Sequence, residues 1–159
     1  MGPSAPGVNA GRLPKIMLSQ QGGIVDVELI NRSNGSKLAE QVTAVSTFYG
    51  RLRGLMFKPR LPAGHAFHLH PCRSVHTFFM KFPIDVLYLD AEHRIVGIDR
   101  HLSPGNIGGH YRGAESVVEL AAGMTARTGT IVGQVVSFTT HNPKGEIING
   151  KQAEAIDYR

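Results

Sequence analysis

Few cysteines, no tryptophan and a long gap in acidic residues set the first bounds on this 159-residue chain. A single thiol, Cys72, excludes an internal disulfide and leaves it as a free thiol, a ligand or a small core residue. That usage suits a reducing compartment. No apolar run approaches the ~20 residues that a membrane-spanning helix needs. The leading MGPSAPGVNAGRLPKIMLSQ likewise lacks the apolar stretch of a signal peptide. A cytoplasmic protein with no membrane span is therefore the expectation. Between Glu40 and Asp85 there is no carboxylate, while Arg51, Arg53, Lys58, Arg60, Arg73 and Lys81 fall there with four histidines. Such a segment draws anions, or else forms a solvated basic face. Aromatic and basic residues do not interleave in it, so no nucleic-acid partner is expected.

What the chain does have is turn-formers, with nineteen glycines and nine prolines, and 42% hydrophobic residues. That balance favours many short strands over long helices, and the length supports one domain with its own core. The ends, 1–22 and 142–159, are polar and aperiodic and are expected to be flexible, leaving a β-rich domain at 23–141. Alternation predicts strands over IVDVELIN (24–31), VTAVS (42–46), AFHLH (66–70), SVHTFFMKF (74–82), IDVLYLD (84–90), RIVGID (94–99), SVVELAA (116–122) and TIVGQVVSF (130–138). Helical spacing of Phe48, Leu52 and Leu55 or Met56, between a Ser46 or Thr47 cap and Pro59, predicts one short helix. GMTARTG reads as a turn or a single helical turn, and SPGNIGGHYRG (103–113) as a long Gly-rich loop of the kind that borders a site. The expected fold is mainly β, bordering on α+β: a single-domain jelly-roll-like β-sandwich or partly closed barrel with one short helix.

The stretch HAFHLHPCRSVH holds the densest set of ligand-type side chains. On a strand His68 and His70 share a side about 6–7 Å apart, the spacing of two metal ligands. No carboxylate follows until Asp85, so no metal or other cofactor is expected, and His68 and His70 stand only as candidates. Phe67 and Leu69 take the opposite side, which predicts the phenyl and leucyl groups inward and the imidazoles toward solvent or a cleft. Cys72 and His76 are close enough in sequence for a nucleophilic pair, although a small buried thiol explains Cys72 as well.

Two acids pose a sharper question. Asp85 alternates with Leu87 and Leu89 while Ile84, Val86 and Tyr88 take the other side, so both sides are apolar and the carboxylate needs a partner. Glu119, inside VVELAA, has the same problem. Arg51, Arg53 and His76 are the candidate partners, forming either structural ion pairs or a perturbed acid–base group.

In order, RLRGLMFK (51–58), HTFFMK (76–81), PIDVLYLD (83–90), RIV (94–96), Pro104 and VELAAG (118–123) resemble the domain of unknown function family 192, small bacterial and archaeal proteins. That family's pattern runs R-x-x-G-L-M-F, F-W-M-K-N-T, P-L-D-x-x-F-x-D and E-L-x-x-G. The resemblance covers about 42–138 and implies a compact jelly-roll-like sandwich. It implies no activity, and only motif positions carry over: Arg51, Gly54, Leu55, Met56, Met80, Lys81, Asp85, Asp90, Glu119 and Gly123. Phe79 stands where the pattern has Trp, and Phe82 before Pro83 replaces its Asn-Thr connection.

Two functional expectations follow. The first is a small non-catalytic binding module. Its basic pocket, built from Arg51, Arg53, His76, Asp85 and Glu119 beside the 103–113 loop, takes a small anionic or sugar-like (carbohydrate) ligand or a protein partner. The alternative is a hydrolase using Asp85 or Glu119 with His76, metal-assisted by His68 and His70, but no nucleophile signature such as G-x-S-x-G is present.

Overall fold

The computed structural model describes residues 26–45, 55 and 58–141. The expected flexible ends, most of the helix expected at 46–59, and Arg51 and Arg53 lie outside the described residues. Two sheets form a sandwich. The smaller has the order β2-β1-β8, from β1 (Asp26–Asn31), β2 (Lys37–Ala39) and β8 (Val136–His141). The larger has the order β3-β4-β7-β5-β6, from β3 (Gln41–Val45), β4 (His65–Leu69), β5 (Ile84–Leu89), β6 (Ile95–Leu102) and β7 (Ser116–Ala121). The β3–β4 pair is parallel and the other pairings are antiparallel. The described residues form a mainly β arrangement with one helical turn, α1 (Met124–Arg127), and no closed barrel. The turn after β1 is built by its own side chains: Asn31 and Asn34 each accept from the amide two residues on, and Gly35 takes the positive φ of 78°.

The larger sheet is buried on both sides. Leu87, Leu89, Val118, Leu120 and Ala66 meet Val27, Leu29, Leu38 and Val136 of the smaller sheet. Ile84, Val86, Tyr88, Val117, Phe67 and Leu69 point the other way, under Leu55, Leu61, Val75, Met80 and Ala114. Two cores therefore flank one sheet, which is why IDVLYL has no exposed position.

Three expectations change. SVHTFFMKF is not a strand: a bridge joins His76 to Ile107, and the chain then turns at Phe78–Phe79, with Phe79 at φ 63°. Alternating apolar residues here cover the outer core instead of joining its sheet, because Thr77 directs its N–H and hydroxyl to the 103–106 backbone. The last strand begins at Val136, not at 130, since Ile131–Gly133 turn alongside the start of β6. Finally, His68 does not face solvent: it is fully buried between the sheets and stacks on Phe138 at 4.4 Å. The apolar pair Phe67 and Leu69 is buried too, on the other side, so alternation could not tell inside from outside.

A cleft beside the edge strand

β6 is an edge of the larger sheet, and its end meets the 103–114 loop. Gly97 lies flat beneath Tyr111: a Cβ there would come within 2.2 Å of the ring. Tyr111 can thus reach Asp99 with its hydroxyl at 2.7 Å, while Tyr88 donates at 2.8 Å and the Gly109 amide at 2.7 Å. Three donors on one carboxylate moor the 103–114 loop to the sheet. Burial, then the bond to Asp99, raises the Tyr88 hydroxyl above its ordinary value. The Asp99 hydrogen bond, then burial, pushes Tyr111 up to about 12. Both phenols are therefore fixed donors near neutral pH.

Between the loop and β6 lies a cleft of about 410 Å³, lined among others by Asp99, Arg100, His101, Asn106 and Ile107. Arg100 and His101 are exposed, and His101 holds a positive φ of 51°. Arg100 reaches the Thr130 carbonyl at 3.0 Å, which fixes one end of its guanidinium.

Beneath His101 lies Asp85, fully buried. It accepts from the His101 amide at 3.0 Å, the Thr125 amide at 2.9 Å and the Thr125 hydroxyl at 2.6 Å. Among the described residues its partners are thus backbone and a threonine, and not His76; Arg51 and Arg53, the other partners the sequence suggested, lie outside them. Burial works to raise its pKa, but the bonds from the Thr125 hydroxyl and from the His101, Thr125 and Gly123 backbone outweigh it and hold the carboxyl below its ordinary value. The His101 Nδ1 stands 3.9 Å from the same carboxylate.

The other sequence-marked residues are scattered. His76 is half-buried and stacks on Phe78 at 4.9 Å, with no hydrogen-bond partner for Nδ1 among the described residues. Glu119 sits mid-sheet, paired across to Phe67 and Val86, and is only 6% exposed. Its carboxyl makes no hydrogen bond or ion pair among the described residues, and burial pushes its pKa up to about 7. His68 lies 6.3 Å from His70 and 6.5 Å from His93, ring centre to ring centre. Burial first, then its two histidine neighbours, pushes it down to about 3. Among the described residues no group of three or more His, Cys, Asp or Glu is arranged to hold a metal ion. Cys72 donates its thiol to the Ser74 carbonyl at 3.1 Å. Sequence reasoning marked the 103–113 loop, which holds Asn106, but missed Arg100 and His101. The signal for these two was the Asp-Arg-His run (99–101) at the end of a strand that enters that loop.

A two-sheet β-sandwich with a loop layer over its outer face is the class that this architecture defines. The family model described as "Uncharacterized ACR", domain of unknown function family 192, matches residues 29–138, and the chain belongs to that family. It is 28% identical over 124 residues to a protein named "UPF0127 protein" from Thermococcus sibiricus, covering 75% of this chain and 79% of that one. A crystal structure from Sinorhizobium meliloti, described as a candidate transcription regulator, shares the fold at a TM-score of 0.62 and 22% identity, covering 73% of this chain and 95% of that one. A protein of unknown function from Novosphingobium aromaticivorans does so at 0.62 and 17%, over 84% of this chain and 99% of its own.

Proposed function

We propose that the chain is a small non-catalytic binding module whose site is the cleft between β6 and the 103–109 loop, and that it takes a small anionic ligand. One observation carries this reading. Arg100 and His101 present cationic and hydrogen-bonding groups at the cleft beside Asn106, while Asp99, the carboxylate lining it, is already engaged by Tyr88, Tyr111 and Gly109. With the acceptor sites of Asp99 filled, the side chains left open at the mouth are donors, which suits an anionic acceptor. Arg51 and Arg53 lie outside the described residues and enter this reading only as sequence expectations.

The hydrolase reading draws on the buried Asp85 behind the exposed His101, the geometry of an acid that orients an imidazole. No side-chain hydroxyl or thiol bonds the His101 ring among the described residues, so a nucleophile is missing from that arrangement.

The test is titration of the isotopically labelled chain with citrate and with inorganic phosphate, read by amide shifts. Saturable shifts are expected at Arg100–Ser103 and Asn106–Gly109, weakened about tenfold or more by Arg100→Gln, the value of one charge-assisted bond. Shifts that do not saturate, or that centre elsewhere, overturn the assignment.

A further inference from the structure

The cleft is larger than an inorganic anion needs. At about 410 Å³ it falls in the range of sites that hold a small organic molecule. Its cationic side is Arg100, held at one end by the Thr130 carbonyl, and His101, whose Nδ1 faces Asp85 and so leaves Nε2 to a ligand. The loop adds two groups of another kind. Asn106 commits both protons of its amide nitrogen to the Ser103 and Pro104 carbonyls, at 3.0 and 3.2 Å, and its Oδ1 receives no hydrogen bond among the described residues. That oxygen can only accept, so an anion does not satisfy it and a hydroxyl does. Ile107, 70% exposed, lines the same cleft and is tied to His76 through its backbone, which leaves its side chain as an apolar surface for a ligand.

Cation, open acceptor and apolar surface in one cleft match a molecule that has one acidic group, hydroxyls and a C–H face. We infer that the ligand is an acidic monosaccharide, one that carries a carboxylate or a phosphate. The acid meets Arg100 and His101, a ring hydroxyl donates to Asn106 Oδ1, and a C–H face of the ring lies on Ile107. The inference rests on the anion-binding reading of this cleft and narrows it to a ligand class. A neutral sugar brings nothing for the guanidinium, and a bare anion brings nothing for Asn106 or Ile107. A nucleotide is disfavoured, because its base stacks on an aromatic side chain and no Phe, Tyr or Trp lines the cleft among the described residues.

Amide-shift titration of the labelled full chain tests it with matched probes: hexose monophosphates against methyl phosphate, and hexuronates against acetate, in the glucose, galactose and mannose forms. Saturable shifts at Arg100–Ser103 and Asn106–Gly109 are expected with at least one acidic sugar, at an affinity about tenfold or more above that of its matched small acid and of the neutral hexose. The tighter pair tells phosphate from carboxylate. Ile107→Ala removes only exposed side chain and keeps the backbone bridge, so thermal unfolding stays unchanged. That variant is expected to weaken the acidic sugar about fivefold or more and to leave the small acid within about twofold. Arg100→Gln weakens both. Three results overturn the inference: acidic sugars that bind no tighter than their small acids, a neutral hexose that binds as tightly as its acid, or Ile107→Ala binding the sugar like the parent. In the first case small acids that still shift the cleft leave the anion-binding reading standing, whereas the absence of shifts with every probe removes both.

Discussion

Asp85 shows how a single residue was half legible. Its place between apolar neighbours on an unbroken buried strand marked it as a carboxylate in need of donors. The donors themselves could not be read, since among the described residues they are the main-chain amides of His101, Gly123 and Thr125 and the hydroxyl of that threonine, 40 residues away, and only the folded sandwich brings α1 under the start of β5. The Thr125 hydroxyl bonds a buried anion, so Thr125→Val, which keeps the shape, is expected to destabilise by about 2 kcal/mol at pH 7. The main-chain amides that remain keep the loss from being larger. With its folded pKa below the ordinary 3.8, the Asp85 network contributes stability above that value and loses it as pH falls, so the penalty of the variant shrinks in acid. Urea unfolding at both pH values checks this, and a loss under about 0.5 kcal/mol at pH 7 would mean that the bond is replaced by water.

Elements were legible where one physical cause dominated. β5 and β7 follow from continuous apolar runs, and the turn at 31–36 from its asparagines and glycine. Segment 74–82 was not, because an apolar cover over a second core shows the same alternation as a strand and only its hydrogen bonds differ. The 103–114 loop makes the complementary case, a Gly-rich segment held firmly by Gly97, Gly108 and Asp99. A Cβ on Gly108 would come 2.3 Å from the Tyr88 hydroxyl, so both glycines are contact surfaces for tyrosines. Gly97→Ala must move the Tyr111 ring and is expected to cost about 1–3 kcal/mol, as overpacking does. Amide exchange across 103–114 should quicken in that variant while β5 and β7 keep their protection. Tyr111→Phe, which keeps the ring and loses only the hydroxyl with its bonds to Asp99 and the Ile98 carbonyl, should cost less. Uniform acceleration across the sheet would show that Gly97 supports the whole edge and not this loop.

For the whole molecule, the layer of loops over the outer face decides how stability depends on pH, and one chain of alternating residues could not reveal that layer. Because both sides of the larger sheet are covered, Glu119 and His68 are each buried, on opposite sides of it, and between about pH 4 and 6 both are neutral in the folded chain. Their effects have opposite sign. Glu119 goes from 4.5 to about 7 on folding, so the folded state binds its proton more tightly and stability falls as pH rises through that window, by about 3 kcal/mol in all. His68 goes from 6.5 to about 3, so stability falls as pH drops through that window, by about 5 kcal/mol in all. Between the two ordinary values, 4.5 and 6.5, the slopes oppose each other and the two contributions largely cancel. His70 and His93, both lowered chiefly by burial, add to the acid side. Removing one group should expose the other. Glu119→Gln should match the parent near pH 4 and exceed it by about 3 kcal/mol at pH 8, since a neutral amide has no charge to bury. His68→Leu should lose its acid-side slope whatever its offset at neutral pH, leaving stability to decline from pH 4.5 toward 7. Unfolding free energies across pH 4 to 8 decide the matter. A Glu119→Gln gain that is equal at both ends would show that the carboxyl is ionised throughout in the folded chain, met there by water or by a cation such as Arg51 or Arg53.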